Sequence, residues 1–94
     1  MAEEIKIKIL VIDDDIEIAK LIEMTLRNDG DSVIRAGNGL RGLDLARIEK
    51  PDLVIMDVNM PIMDGICATK ELRRLHREGV VNLSNTKILM HSAI

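Results

Sequence analysis

Along this chain, short continuous apolar runs alternate with segments in which apolar residues recur every three or four positions. This pattern predicts that strands and helices follow one another in turn. Four short stretches rich in Ile, Leu and Val are typical of strands buried in a sheet. These stretches are 5–12, 32–36, 53–57 and 88–91. Between them, apolar residues recur every three or four positions, which predicts helices that begin near Ile16, Leu40 and Ile66. The order βαβαβαβ predicts an α/β fold, a parallel sheet with right-handed crossovers and helices on both faces.

Helix-breaking residues indicate where each predicted helix ends. The first helix meets Asn-Asp-Gly at 28–30, the second cannot extend through Pro51, and the third meets Gly79. Residues 80–86 are expected to form an irregular loop before the last strand. Asp15 and Asp64 precede helices and are predicted to be caps or turn formers.

Two of the predicted strands end in aspartate. The run at 9–12 leads into Asp13 and Asp14, and the run at 53–56 leads into Asp57. The carboxyl ends of parallel strands lie at one edge of the sheet, where open α/β proteins bind ligands. The three carboxylates are therefore expected to converge.

A cluster of three carboxylates favours a bound cation. Like charges repel and raise one another's pKa values, and a cation offsets this cost. All-oxygen ligands indicate a hard ion, and Mg²⁺ fits best because it uses few carboxylates and bridges to phosphate. A carboxylate beside Mg²⁺ can attack phosphorus and become an aspartyl phosphate.

Length and composition narrow the class of protein further. Ninety-four residues with 47% apolar and 31% charged side chains are typical of one globular domain. A net charge of −3 gives no general attraction to nucleic acid or to an anionic membrane. No apolar run approaches the length of about 18 residues that a membrane span needs. The single cysteine, Cys67, cannot form an internal disulfide, so a cytoplasmic location is expected.

Three blocks of the sequence together resemble the receiver domain of two-component response regulators, of the chemotaxis-receiver type. The first is Ile-Leu-Val-Ile-Asp-Asp at 9–14, the second is the stretch 51–65, and the third is Ile-Leu-Met-His-Ser-Ala at 88–93. The second block carries Asp-x-x-Met-Pro-x-Met-Asp-Gly from Asp57 onward. The resemblance implies a flavodoxin-like fold with the sheet order 2-1-3-4, which sets Asp14 beside Asp57.

The resemblance also implies a role for each matching residue. Asp57 would be the phosphoacceptor, and Ser92 would hydrogen-bond the phosphoryl group. Asp14 would bind Mg²⁺ directly, Asp13 would bind it through water, and the main-chain carbonyl of Asn59 would be a further ligand. The implied partner is a sensor histidine kinase or a phosphotransfer protein. Such a domain is a signalling phosphoacceptor, not an enzyme, apart from Mg²⁺-assisted phosphorylation and dephosphorylation of itself.

The sequence departs from the family pattern after its fourth strand. Residues 1–94 match one receiver domain without the fourth helix, fifth strand and fifth helix, and so without the fifth-strand lysine that contacts the phosphoryl group. Lys87 opens the fourth strand, so the role of that lysine is not transferred to it. An exposed fourth strand and a partly bare sheet face predict self-association into a dimer or higher oligomer through one of these surfaces.

Two other functions fit parts of the sequence. A degenerate, truncated receiver would bind a kinase or another receiver, or oligomerise, without a phosphorylation switch. Gly-Asn-Gly-Leu-Arg-Gly at 37–42 also matches a dinucleotide-binding pattern, with Asp57 20 residues beyond Gly37. That match leaves Asp13 and Asp14 unexplained, and the same glycines would equally shape a turn and a helix start. His91 is predicted by strand alternation from Ser92 to point away from the acidic site.

Overall fold

The computed structural model describes residues 6–27, 30–58, 64–79 and 83–91, and it confirms the predicted succession of strands and helices. The elements are β1 (Lys8–Ile12), α1 (Ile16–Arg27), β2 (Ser32–Ala36), α2 (Gly39–Glu49), β3 (Leu53–Asp57), α3 (Gly65–Arg77) and β4 (Lys87–His91). The predicted ends are off by a few residues. β1 begins at Lys8, later than predicted, whereas α3 and β4 each begin one residue earlier.

The four strands form one parallel sheet in the order β2-β1-β3-β4, as predicted. Ile12 of β1 lies level with Ala36 of β2 and with Met56 of β3. Asp57 at the end of β3 lies level with His91 at the end of β4. This register aligns the carboxyl ends of the strands along one edge of the sheet.

The sheet separates two aliphatic clusters. On one face, α2 and α3 cover β1 and β3, and buried side chains from both layers pack together. These are Leu10, Ile12, Ala36, Ala46, Val54, Met56, Ala68 and Leu72. On the other face, Ala19 of α1 packs with strand residues that alternate with the first set, as a period of two requires. Those strand residues are Ile9, Val11, Val33 and Ile55.

Side-chain caps start each helix. Asp15 accepts hydrogen bonds from the N–H groups of Glu17 and Ile18, at 3.0 and 3.3 Å, which begins α1. Asp64 accepts one from the N–H of Cys67 at 2.8 Å, which begins α3. The predicted capping roles of Asp15 and Asp64 are therefore confirmed.

The stretch 37–42 has a structural role. Asn38 caps α2 by accepting a hydrogen bond from the N–H of Arg41 at 2.9 Å. A Cβ on Gly42 would lie 2.3 Å from Cδ1 of Ile12, so glycine lets α2 approach β1 closely. A turn, a cap and close helix–strand packing thus account for this segment without a nucleotide. Within the described ranges, no helix has the length and apolar character needed to cross a membrane.

Candidate functional site

Three aspartates meet at the carboxyl edge of the sheet. One carboxylate oxygen from each of Asp13, Asp14 and Asp57 lies within 4.8 Å of the others. Asp13 and Asp57 are 2% and 6% exposed, whereas Asp14 is exposed to solvent. The convergence predicted from two strand ends is therefore present, with one carboxylate open to an incoming group.

Local backbone bonds fix the directions of these carboxylates. The N–H of Asp13 extends the sheet by donating to the carbonyl of Ala36 at 3.0 Å. Oδ1 of Asp13 accepts from the N–H of Asp15 at 2.8 Å, a turn that leads directly into the cap of α1. Val58, after Asp57, donates its N–H to the carbonyl of His91 at 2.9 Å. The loops that carry the carboxylates are thus held by the strands beside them.

The electrostatics of Asp13 suit a bound cation. Burial is the largest effect on the pKa of this carboxyl and raises it, while the hydrogen bond from the Asp15 N–H lowers it. The negative charge of Asp57 raises this pKa, His91 lowers it, and the net shift is upward. Oδ2 of Asp13 is buried and accepts no hydrogen bond among the described residues, although a nitrogen of His91 lies near it. A buried acceptor beside two more carboxylates matches the oxygen-rich donor set that Mg²⁺ prefers. The residues present therefore fit a hard divalent ion.

His91 lies beside this cluster, so its predicted orientation was wrong. Its Nε2 is 3.3 Å from Oδ2 of Asp13, and its side chain is 25% exposed. Alternation within one strand predicted the opposite face, but the register between neighbouring strands decides where the side chain points. His91 is level with Asp57 on a parallel neighbour, and level residues of parallel strands point to the same face. The parallel order together with the strand ends could have identified His91 from the sequence.

Gly65, at the start of α3, lies against the backbone of Asp57. A Cβ at this position would lie 2.2 Å from the carbonyl oxygen of Asp57 and 2.9 Å from Cγ of Met56. The Gly65 N–H also donates to the carbonyl of Val58 at 3.0 Å. Glycine therefore lets the start of α3 lie directly against the end of β3.

Replacement of Gly65 by Ala is expected to lower the free energy of unfolding by about 1–3 kcal/mol, because the added methyl group must displace backbone atoms. Urea denaturation of both chains measures this loss. Gly37→Ala is the matched control, since a Cβ there would meet nothing within 4 Å. Equal stabilities of the Gly65→Ala and Gly37→Ala chains would contradict the close approach of α3 to Asp57.

Two of the predicted site residues, Asn59 and Ser92, lie outside the described residues. The described geometry of the site therefore rests on Asp13, Asp14, Asp57 and His91.

Comparison with known proteins agrees with this geometry. The sequence model of the response regulator receiver domain matches residues 9–93. The alkaline phosphatase synthesis transcriptional regulatory protein PhoP of Bacillus subtilis is 45% identical over 67 residues, which are 71% of this chain and 28% of PhoP. Sporulation initiation phosphotransferase F of the same organism is 39% identical over 66 residues, 70% of this chain and 53% of that protein. The chain thus spans about a quarter to a half of these two relatives.

Solved structures show the same fold. The chemotaxis protein CheY4 of Vibrio cholerae superposes with a TM-score of 0.78 at 32% identity, over 92% of this chain and 68% of that one. The receiver domain of the histidine kinase CKI1 from Arabidopsis thaliana, in complex with Mg²⁺ and BeF₃⁻, also has a TM-score of 0.78, at 29% identity. The matched region is 92% of this chain and 65% of the CKI1 receiver chain. The flavodoxin-like sheet order, the acidic edge and the matched residues lead to one conclusion: this chain belongs to the family of response regulator receiver domains.

Proposed function

We propose that this chain is a phosphoacceptor that takes a phosphoryl group on Asp57 from a sensor histidine kinase or a phosphotransfer protein. The observation that carries the proposal is the convergence of three carboxylates within 4.8 Å at the carboxyl edge of the sheet. One member, Asp14, is exposed, which leaves the cluster open to a partner. Sequence similarity to a sporulation phosphotransferase supports a place in phosphoryl transfer.

Each residue of the site has a proposed part in the reaction. A carboxylate oxygen of Asp57 attacks phosphorus, the new O–P bond forms, and the P–N bond to the donor histidine breaks. Asp13, Asp14 and Asp57, with the main-chain carbonyl of Asn59, would hold Mg²⁺, which neutralises charge on the phosphoryl oxygens when bound. The hydroxyl of Ser92 would donate a hydrogen bond to the phosphoryl group.

Support for the metal comes from the chain itself and from one similar structure. The buried Oδ2 of Asp13 lacks a hydrogen-bond partner among the described residues, and the pKa of this carboxyl is raised by burial and by Asp57. Both properties make a divalent ion favourable at this position. The similar CKI1 receiver domain was solved with Mg²⁺ and BeF₃⁻.

A second candidate function is a binding module that associates with other proteins without a phosphorylation switch. The observation in its favour is the exposure of apolar side chains on β4 and α1, with Leu89 57% exposed and Leu21 64% exposed. Self-association belongs to the same proposal and is compatible with phosphoryl transfer. The two functions differ in whether Asp57 becomes phosphorylated.

Intact mass after incubation with Mg²⁺ and acetyl phosphate distinguishes these functions. The parent chain is expected to gain about 80 Da, the mass of one phosphoryl group, because Asp57 supplies the nucleophile. Asp57→Asn is expected to gain nothing, and Asp44→Asn, an exposed position on α2, is expected to react like the parent. A folded parent chain that gains no mass would overturn the phosphoacceptor and leave the binding module.

A further inference from the structure

The side chain of His91 reaches across the acidic site. Its Nε2 lies 3.3 Å from Oδ2 of Asp13, although the strands that carry these residues, β4 and β1, are not neighbours in the sheet. β3 runs between them and ends at Asp57, so two strand spacings, about 10 Å, separate β1 from β4. His91 and Asp57 are level, and level residues of parallel strands point to the same face. The contact between His91 and Asp13 therefore crosses the carboxyl end of β3, beside the carboxylate of Asp57.

The nitrogen of His91 that faces Asp13 is an N–H donor. An ionised carboxylate oxygen only accepts hydrogen bonds, so an imidazole nitrogen beside it is favourable as N–H and unfavourable as a bare lone pair. Both Nε2 of His91 and Oδ2 of Asp13 are buried, and neither forms a hydrogen bond among the described residues. The Nε2–H group is thus held near Asp13 by charge, without an aligned acceptor. A buried donor in this state gains free energy when an acceptor reaches it.

A phosphoryl group on Asp57 would supply such an acceptor. It brings strongly accepting, negatively charged oxygens to the end of β3, which the His91 side chain already crosses. Hydrogen bonds to phosphoryl oxygens are among the strong, charge-assisted ones. A cation held by the carboxylates would at the same time offset the charge of Asp13, which is what attracts the imidazole to that residue. Both changes favour a move of the Nε2–H group from Asp13 to the phosphoryl group.

We propose that His91 is a phosphoryl-binding residue of this site, whose Nε2–H faces Asp13 in the metal-free chain and donates to a phosphoryl oxygen once Asp57 is phosphorylated. The inference rests on the phosphoacceptor role of Asp57 proposed above. It requires no change in the charge of the imidazole, because Nε2–H is present in the neutral ring and in the protonated ring alike. It adds to the site a donor that the β3–β4 register supplies.

Binding of beryllofluoride, an unreactive mimic of the phosphoryl group, tests this contact. With Mg²⁺ present, ¹⁹F NMR measures the affinity of each chain for BeF₃⁻. His91→Val removes the donor and is expected to weaken binding about 10- to 100-fold, the usual worth of a hydrogen bond to a charged group. His91→Gln keeps an N–H donor on a side chain of similar reach and is expected to recover most of the affinity. His76→Gln, at the other histidine of the chain, is the matched control and is expected to bind like the parent.

Calorimetric titration with Mg²⁺ alone distinguishes a lost contact from a damaged site. His91→Val is expected to bind Mg²⁺ at least as tightly as the parent, because the carboxylates hold the ion and the imidazole no longer competes for Asp13. The loss of affinity is then specific to BeF₃⁻. A His91→Val chain that loses Mg²⁺ affinity to the same extent would show that His91 acts through the metal or the fold, and would overturn the hydrogen bond.

A ¹⁹F–¹H nuclear Overhauser effect locates the imidazole directly. The chain has two histidines, so in the His76→Gln background every imidazole proton belongs to His91. Bound BeF₃⁻ is expected to show cross-relaxation with these protons, because a hydrogen bond brings Nε2 within about 3 Å of the acceptor atom. A bound fluoride signal without this effect would place His91 away from the phosphoryl position and would refute the contact.

Failure of this contact and failure of the phosphoacceptor role give different results. If the parent and His91→Val bind BeF₃⁻ equally well, Asp57 keeps its role and the contact with His91 is overturned. If His91→Val binds BeF₃⁻ more tightly than the parent, the imidazole obstructs Asp57 and does not donate to the phosphoryl group. A parent that binds Mg²⁺ but neither BeF₃⁻ nor a phosphoryl group overturns the phosphoacceptor, and the role of His91 with it.

Discussion

Replacement of Leu72 by Ala is expected to lower the free energy of unfolding by about 2–5 kcal/mol. Leu72 is fully buried and packs in the cluster beneath α2 and α3. Removing its side chain leaves a cavity that the surrounding strands can close only in part. For a domain of this size, such a loss is a large fraction of its total stability.

The position of Leu72 explains why this single side chain matters. The chain has no Phe, Tyr or Trp, so aliphatic residues and Met fill the entire core. Among the largest fully buried side chains that the structure describes, Leu72 is the one that comes from a helix. The buried apolar residues of α1 and α2 are Ala19 and Ala46, which offer far less area. Leu72 therefore anchors α3, and α3 in turn sets Gly65 against the end of β3.

Urea denaturation at an unchanged m-value measures the loss for Leu72→Ala. Ile66→Ala is the control on the same helix, because Ile66 is 50% exposed, and its change is expected to stay within about 0.5 kcal/mol. If the two substitutions cost the same, Leu72 does not anchor the helix.

Most of the fold could be predicted from the periodicity of apolar residues, because the sheet is parallel and helices pack on both of its faces. The third strand carries an unbroken apolar run at 53–56, and apolar residues of the intervening helices recur every three or four positions. The convergence of Asp13, Asp14 and Asp57 followed from topology alone, since strand ends in a parallel sheet share one edge. The capping roles of Asp15 and Asp64 were also visible, because a cap depends on residues close in sequence.

The features that could not be predicted from the sequence depend on contacts between segments that are distant in the chain. His91 was assigned to the wrong face because alternation along one strand was used without the register that sets it level with Asp57. The tight contact between Gly65 and the carbonyl of Asp57 depends on how α3 docks, which no local pattern encodes. The strand β1 begins at Lys8, level with Ser32 of β2, and the predicted start at residue 5 lies outside the described residues.

Replacement of Asp13 by Asn is expected to stabilise the metal-free chain and to weaken Mg²⁺ binding. The charge of Asp13 is unfavourable in the absence of a cation, because burial and Asp57 raise the pKa of this carboxyl above its ordinary value of 3.8. Asn removes that charge and keeps an oxygen that can accept the N–H of Asp15. A residue that holds Mg²⁺ through water typically contributes about 10- to 100-fold to affinity, so a loss of that size is expected.

The difference in stability between Asp13→Asn and the parent is expected to depend on pH. A raised pKa in the folded state means that Asp13 favours folding while it is protonated, and that this contribution is lost as pH rises from 3.8 through the raised pKa. The stability advantage of Asp13→Asn over the parent should therefore grow with pH across that window and then level off. Thermal or urea denaturation in the presence of a chelator measures this difference.

Added Mg²⁺ is expected to reverse the order of stability. At a concentration 100 times the parent's Kd, binding stabilises the parent by about 2.7 kcal/mol, whereas a 100-fold weaker variant gains about 0.4 kcal/mol. Asp15→Asn is the matched control, since it removes the same charge two residues away, outside the carboxylate cluster, and keeps a good helix cap. An Asp13→Asn chain that is less stable than the parent without Mg²⁺, or that binds Mg²⁺ as tightly, would show that Asp13 does not hold the cation. A crossing of the two stability curves as Mg²⁺ is added, absent from the Asp15→Asn control, would tie the buried charge of Asp13 to the metal, because the hydrogen bond from the Asp15 N–H and the proximity of His91 are present with and without Mg²⁺.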